Sequence, residues 1–308
     1  RRRTIGAKTP ECIGPAQARR RRASAGRDFP RGRMGVHNGS LVEGPRDNLE
    51  APVLSQTQLD AFERDGYYVL EGAVDDETLD AICCEAAALA AYESAATQRR
   101  VWHERALFRR KAFRDLLDAA PLVAAAEALQ GTDVQLLALD LLLVRNEDDG
   151  IGWHRDVQFV CNKTISINTG IYLQDLTDDV GPLRVLPGSH RREGAPPARG
   201  ADPLDGEVTV YAKAGDAVFF DAALLHAGGR NRSGRDRLAL FPYFGRYWVK
   251  RMDNYFTQPL PADLLHTSDP MKRQLLGLNL RPGVASYHGD GEGYNRSRGE
   301  EGIDFPTG

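Results

Sequence analysis

The stretch that decides the fold is Val134-Gln135-Leu136-Leu137-Ala138-Leu139-Asp140-Leu141-Leu142-Leu143-Val144. It is almost entirely apolar, which suits a strand that is buried on both faces of a sheet. The segment 164–173 is rich in Ile, Thr and Tyr and has the same character. From Val134 onward the sequence therefore predicts a core built of β-strands.

Shorter strand candidates accompany these two runs. Turn signals such as Val180-Gly181-Pro182 and Ala214-Gly215-Asp216 separate them. Many short strands with frequent turns favour a β-sandwich or a barrel. The shorter candidates are Tyr67–Leu70 and residues 183–186, 207–212, 217–220 and 237–244.

Helices are expected mainly before this strand-rich part. The first begins at the capping box Ser55-Gln56-Thr57-Gln58 and ends at Asp65-Gly66. The second begins at Asp76 or the residue before it, and a further helical stretch covers residues 105–129 with an interruption at Pro121. We expect these helices to pack outside the core.

Composition excludes several classes of protein. With 308 residues and 42% apolar content, the chain can bury a full core, and its net charge of −3 gives no reason to expect a nucleic-acid partner. No apolar run has the length of a membrane span, and no secretory segment is evident. The four cysteines lack metal-ligand spacing. We expect a soluble, cytoplasmic protein without a membrane partner.

Three parts of the chain differ in composition. Residues 1–48 are rich in arginine and lack apolar periodicity, which predicts a disordered N-terminal extension. A transit peptide and a nucleic-acid-binding arm are the alternatives for that segment. Residues 49–282 form the predicted folded domain. Residues 283–308 are a polar tail that could close over a site as a lid.

One motif and one distant histidine supply candidate metal ligands. In Gly152-Trp153-His154-Arg155-Asp156 the histidine and the aspartate are two residues apart, so on a strand both would face the same side. A surface turn is the commoner explanation for such a pair alone. His226 follows an apolar run and adds a second imidazole, although a lone histidine there could be a satisfied core residue. Two imidazoles and one carboxylate can occupy one face of an octahedral Fe(II).

Arg237 opens another apolar strand, residues 237–244. A buried arginine without a partner is costly, so it needs an anion from the protein or from a ligand. Its planar guanidinium can hold a carboxylate through two parallel hydrogen bonds. The sequence thus offers an anion clamp downstream of the second histidine.

Four segments of the chain together form a recognisable pattern: residues 61–67, Trp153-His154-Arg155-Asp156, Gly181-Pro182-Leu183-Arg184-Val185-Leu186-Pro187-Gly188-Ser189-His190, and the block from Gly215-Asp216 through His226 to Arg237. On these segments the chain resembles the phytanoyl-CoA dioxygenase family of Fe(II)- and 2-oxoglutarate-dependent oxygenases over about residues 54–280. The resemblance implies a mainly β fold with flanking helices, a double-stranded β-helix or jelly-roll barrel of the cupin type.

The same resemblance implies roles for individual residues. His154, Asp156 and His226 would bind Fe(II) and form the catalytic centre, and Arg237 would pair with the C5 carboxylate of 2-oxoglutarate. Many relatives place a cosubstrate-lining aromatic residue where this chain has Gly170. Tyr172, on the same strand face, is expected to fill that space.

The implied reaction uses O2 to hydroxylate an unactivated C–H bond of a small organic metabolite, while 2-oxoglutarate is decarboxylated to succinate and CO2. Related halogenases replace the carboxylate ligand with a small residue, so Asp156 favours hydroxylation, or desaturation, over halogenation. A cupin-like isomerase or hydrolase that uses another metal is one alternative, and a non-catalytic ligand-binding barrel is another. The substrate and the oligomeric state stay open.

Overall fold

The computed structural model of the chain describes residues 54–93, 98–196, 203–252 and 260–278. The predicted N-terminal extension, residues 1–48, lies outside the described residues, and so does the predicted tail, residues 283–308.

Helices flank the sheets at both ends of the described chain. Ser55 caps the first helix, Gln56–Asp65, with the expected capping box, and Gly66, with φ 83°, ends this helix in the left-handed conformation. None of the helices in the described ranges combines the length and apolar character that a membrane crossing needs. Their bounds are α1 Gln56–Asp65, α2 Asp76–Glu93, α3 Lys111–Arg114, α4 Ala120–Gln130, α5 Ala262–Leu265 and α6 Pro270–Leu275.

The helical stretch expected at residues 105–129 is divided differently from the prediction. It consists of a 3-10 turn at Ala106–Phe108, then α3, a second 3-10 turn at Asp115–Asp118, and finally α4. Pro121 does not interrupt a helix: it lies in the first turn of α4. A proline is tolerated there because the first N–H groups of a helix have no intrahelical acceptor.

In the described residues, ten strands form two antiparallel sheets. The bounds are β1 Tyr67–Leu70, β2 Arg100–His103, β3 Val134–Val144, β4 Ile151–His154, β5 Ser166–Tyr172, β6 Leu183–Val185, β7 Val208–Val210, β8 Ala217–Asp221, β9 His226–Gly228 and β10 Arg237–Arg246. The first sheet has six strands in the order β1-β8-β5-β10-β3-β2, and the second has four in the order β4-β9-β6-β7.

The path of β3 to β10 confirms the predicted jelly roll. Apart from β6 and β7, which are paired in the same sheet, the chain alternates between the two sheets, so that strands distant in sequence become neighbours, as in β3 beside β10 and β4 beside β9. The hydrogen-bonded strands do not close into one continuous barrel, because the sheets keep separate edges.

Two apolar layers hold the sheets and helices together. Between the helices and the six-stranded sheet lies the larger layer, which includes Ile167, Phe219 and Phe244. A second cluster, with Tyr172 and Phe220 among its members, lies on the opposite, inner face of that sheet. Because side chains alternate along a strand, β5, β8 and β10 contribute to both layers. The inner face is where polar groups also converge.

Candidate metal centre

Three potential ligands converge at the inner face of the four-stranded sheet. Asp156 Oδ1 lies 3.8 Å from His154 Nε2 and 3.8 Å from His226 Nε2. One ligand atom from each side chain can be chosen so that all lie within 4.8 Å of one another. His154 and His226 are paired across β4 and β9, which accounts for the closeness of their rings, 4.1 Å between centroids.

The expected placement of Asp156 on the same strand as His154 is wrong. Strand β4 ends at His154, and Asp156 lies in the following loop. The N–H groups of Asp156 and Val157 both donate to the carbonyl of Ala222, at 2.9 and 3.0 Å. These bonds to the end of β8, and not strand alternation, bring the carboxylate to the two imidazoles.

The remaining polar atoms of the three residues are held by the protein. His154 Nδ1 lies 2.9 Å from the carbonyl oxygen of Gly152, and His226 Nδ1 lies 2.9 Å from that of Leu224. A carbonyl can only accept, so each Nδ1 carries the proton and each Nε2 presents a lone pair. Asp156 Oδ2 accepts a 2.9 Å bond from Asn168 Nδ2, which leaves Oδ1 toward the imidazoles.

Burial favours the neutral form of His226. Its ring is almost completely buried and packs 4.7 Å from the ring of Phe220. Desolvation lowers the pKa of His226, with Asp156 acting in the opposite direction. A neutral imidazole is the form that binds a metal, so the surroundings of His226 suit that role.

Arg237 lies on the inner face at the start of β10, and only 4% of its surface is exposed. It donates from Nη1 to the carbonyl of Gly181, while its buried Nε has no hydrogen-bond partner among the described residues. Within the same ranges no carboxylate forms an ion pair with it. Burial lowers the pKa of Arg237. The structure thus presents a desolvated guanidinium with an unused donor, as expected where an anionic ligand binds.

Tyr172 lies beside Arg237, on the same inner face. The ring covers Gly170: a Cβ added at Gly170 would be 3.0 Å from Tyr172 Cε2. Burial raises the pKa of Tyr172 and the nearby Arg237 opposes that shift, so the phenol stays neutral. Tyr172 thus lies over the position where the resemblance leads us to expect an aromatic ring.

Two residues at the centre were missed from the sequence. Asn168 donates a hydrogen bond to the carboxylate of Asp156. Arg155, the residue between His154 and Asp156, has a buried side chain. Strand periodicity could have indicated Asn168, since it shares a face of β5 with Gly170 and Tyr172. The sequence carried no signal for Arg155, because its contacts are made to backbone carbonyls.

The comparisons with known proteins agree with this geometry. The model of the family described as phytanoyl-CoA dioxygenase (PhyH) matches residues 62–239, more than half of the chain. The chain belongs to the phytanoyl-CoA dioxygenase family. This family depends on Fe(II) and 2-oxoglutarate. The two imidazoles, the carboxylate and the desolvated arginine are a donor set that fits both groups.

Similar proteins differ in the share of the sequence that they match. The uncharacterized protein Rv1501 of Mycobacterium tuberculosis is 38% identical over 130 residues, covering 41% of this chain and 45% of that protein. The chain therefore spans less than half the length of this relative. Ectoine dioxygenase of Nocardia farcinica is 25% identical over 249 residues, covering 67% of this chain and 80% of the relative.

A solved structure agrees with the jelly-roll fold. The epimerase SnoN, in complex with Fe3+, alpha ketoglutarate and nogalamycin RO, superimposes with a TM-score of 0.55 over 70% of this chain and 92% of that chain. Its sequence identity is 23%. At this identity the likeness concerns the fold alone.

Proposed function

We propose that the protein is an Fe(II)- and 2-oxoglutarate-dependent dioxygenase that hydroxylates an unactivated C–H bond of a small organic metabolite. The observation that carries the proposal is the convergence of His154, Asp156 and His226, together with a buried Arg237 on the facing sheet whose Nε has no hydrogen-bond partner among the described residues. Membership of the phytanoyl-CoA dioxygenase family supports the same reading.

In this proposal the metal is held by His154 Nε2, His226 Nε2 and Asp156 Oδ1. The assignment of atoms follows from the hydrogen bonds that occupy the other nitrogen of each ring and the other oxygen of the carboxylate. Fixing those atoms orients the ligands before the metal arrives, which lowers the entropic cost of binding. Three protein ligands on one face leave positions for cosubstrate and oxygen.

Arg237 is proposed to bind the C5 carboxylate of 2-oxoglutarate, and Tyr172 to line the same pocket. The guanidinium is already desolvated, so an anion that reaches it pairs in a low-dielectric environment, where the interaction is strong. When bound, iron and 2-oxoglutarate supply oxidation by O2, with succinate and CO2 as the coproducts. The chain's part is to hold these groups in place and to exclude water.

The substrate side is proposed to be apolar. Trp102 on β2 is aligned through Leu142 and Ala239 with Tyr172, so these side chains share the inner face. The Trp102 ring is 46% exposed and lies 5.5 Å from that of half-buried Phe241. A continuous row of aromatic rings thus runs from solvent into the interior, and it suits a substrate with an apolar ring or aliphatic face.

The test begins with anaerobic addition of Fe(II) and 2-oxoglutarate to the full chain, with absorption spectroscopy to detect the charge-transfer band of the chelate. Air and a metabolite library follow, with succinate release as the readout. Because SnoN is described as an epimerase, the mass of each product is measured by mass spectrometry. A hydroxylation adds one oxygen atom, whereas an epimerisation leaves the mass unchanged.

We expect Asp156→Gly and His226→Ala to abolish succinate release. Oxygen-dependent succinate formation that survived both substitutions would overturn the assignment. If the protein converted substrate without oxygen, and if substitution of Arg237 left that activity unchanged, a cupin-like isomerase or hydrolase would be favoured instead. Folded protein that gave no band and no metal binding would favour a non-catalytic barrel.

A further inference from the structure

Arg155 lies between two candidate ligands in sequence, but its side chain is directed away from them. The residue is only 5% exposed. Nη1 donates to the carbonyls of Ser189, at 2.9 Å, and of Ala223, and Nη2 donates to the carbonyl of Arg192 at 2.9 Å. In the part of the chain that the structure describes, no carboxylate forms an ion pair with it. Its buried charge is therefore satisfied by backbone oxygens.

The three carbonyls belong to two separate segments of the chain. Ala223 lies in the turn from β8 to β9, and β9 begins with His226. Ser189 and Arg192 lie in and directly after the 3-10 turn Ser189–Arg191, which follows β6. The Ser189 hydroxyl in turn accepts from the N–H of Leu225, the residue before His226, at 2.8 Å.

One guanidinium thus joins the loop after β4, which carries Asp156, to the turn before β9, the strand that begins with His226. Arginine suits this task because its planar fork offers donors in fixed directions, whereas a lysine ammonium is a single flexible point. Removing the fork would leave buried carbonyls without donors, and the spacing of the two segments would then depend on the remaining backbone bonds, among them those from the N–H groups of Asp156 and Val157 to Ala222. A metal tolerates only small displacements of its ligand atoms.

We infer that Arg155 is a positioning residue that sets the spacing between Asp156 and His226 and thereby the metal affinity of the centre. This inference rests on the proposed function, since it takes the cluster to be a metal site. It assigns no contact with metal, cosubstrate or substrate to Arg155. Its effect passes entirely through the backbone of the two segments.

The test compares Arg155→Lys with Arg251→Lys in the full chain. Arg251 is a matched control because it is also 5% exposed and donates to a backbone carbonyl, that of Leu276 at 2.8 Å. Co(II) is titrated into each metal-free protein, and its visible absorption reports both affinity and coordination geometry. Thermal unfolding of the metal-free proteins, followed by circular dichroism, measures stability separately.

For Arg155→Lys we expect a Co(II) dissociation constant raised about tenfold or more, the range seen when groups that orient metal ligands are lost. The Co(II) spectrum should change shape as well. Arg251→Lys should keep the affinity and spectrum of the unmodified chain even where its stability falls. Ser189→Ala, which removes only the bond to Leu225, provides a milder variant and should weaken Co(II) binding in the same direction.

The outcomes separate the two proposals. If the unmodified chain binds no Co(II), the proposed function fails and this inference fails with it. If the unmodified chain binds Co(II) and folded Arg155→Lys binds it equally well, only the positioning role is overturned. Should Arg155→Lys not fold, an unchanged affinity in Ser189→Ala overturns that role.

Discussion

At the scale of single residues, Arg237 gives the sharpest prediction. Arg237→Lys keeps the positive charge but loses the fork that could bind a carboxylate through two bonds. We expect the dissociation constant of 2-oxoglutarate to rise about tenfold to a hundredfold, the range for lost hydrogen bonds to a charged group. Anaerobic titration of 2-oxoglutarate into the Fe(II)-loaded protein, followed by the charge-transfer band, measures it.

The control for this substitution lies at the other end of the same strand. Arg246 is the last residue of β10, and its guanidinium pairs with Asp133 at 2.6 Å. Arg246→Lys should leave 2-oxoglutarate binding unchanged. Equal affinities in Arg237→Lys and the unmodified chain would show that the cosubstrate carboxylate binds elsewhere.

Sequence reasoning predicted the centre where residue type and spacing carry the signal. His154, Asp156 and His226 do converge, and buried Arg237 lacks an ion-pair partner in the described ranges, as an anion-binding residue would. The spacing of residues in the sequence could not predict contacts between distant segments that hold a ligand in place. The bond from Asn168 to Asp156 depends on how a loop folds back onto β5, which no local pattern encodes.

At the scale of elements, β2 supplies a prediction about the substrate. Trp102→Ala removes the exposed end of the aromatic row while leaving Phe241 and the metal ligands in place. We expect the KM of the substrate found by the library screen to rise about tenfold, as for a stacking aromatic at a binding surface. The affinity for 2-oxoglutarate should not change. Steady-state kinetics and the anaerobic titration separate the two effects.

Trp248 provides the matched control, because it is also exposed, at 61%, and lies just beyond the end of β10. Trp248→Ala should leave KM unchanged. If the KM of the substrate were the same in Trp102→Ala as in the unmodified chain, β2 would not contribute to substrate binding.

Strand β6 gives a prediction about pH and stability. The guanidinium of Arg184 donates to both oxygens of Glu207, at 2.9 and 2.6 Å, and holds the pKa of that carboxyl below its usual value. A lowered folded-state pKa means that the pair stabilises the fold at neutral pH and that this contribution is lost as the pH falls through the folded-state pKa.

Glu207→Gln should therefore lower the free energy of unfolding by about 1 kcal/mol at neutral pH, since the pair is only partly buried. The difference from the unmodified chain should shrink below about pH 4, where the carboxyl is protonated in the unfolded chain. Urea unfolding at several pH values measures it. Glu63→Gln, in an exposed pair with Arg191, is the control and should show little change. If Glu207→Gln lowered the free energy of unfolding by the same amount at every pH, the stabilisation would not come from the charge of Glu207.

Elements were predicted well where burial imposes a pattern. The long run 134–144 forms β3 with the bounds expected, because both faces of a central strand are apolar. Strand β2 was missed: four residues, Arg100–His103, carry too little periodicity, and pairing with β3 defines the strand. The stretch 105–129 was misjudged because helical propensity does not show where short turns replace a helix.

At the scale of the whole molecule, the candidate metal centre connects the two sheets. His154 and His226 belong to the four-stranded sheet, whereas Asp156 is bonded to Asn168 of the six-stranded sheet and to Ala222, the residue after β8. A metal that binds all three ligands binds only the folded state. Fe(II) or Co(II) should therefore raise the unfolding temperature by linkage.

The size of this effect follows from mass action. At a metal concentration of about 100 times Kd the folded state gains about 2.7 kcal/mol, which for a domain of this size corresponds to a rise of about 5–10 °C. Calorimetry under anaerobic conditions measures the rise, and adding 2-oxoglutarate should extend it only when metal is present, because the proposed cosubstrate site includes the metal as well as Arg237. His226→Ala should lose both increments. Arg237→Lys should keep the rise caused by the metal and lose most of the further rise caused by 2-oxoglutarate. If this variant lost both rises equally, Arg237 would be needed for metal binding as well, and the proposed division into a metal site and a cosubstrate site would be wrong.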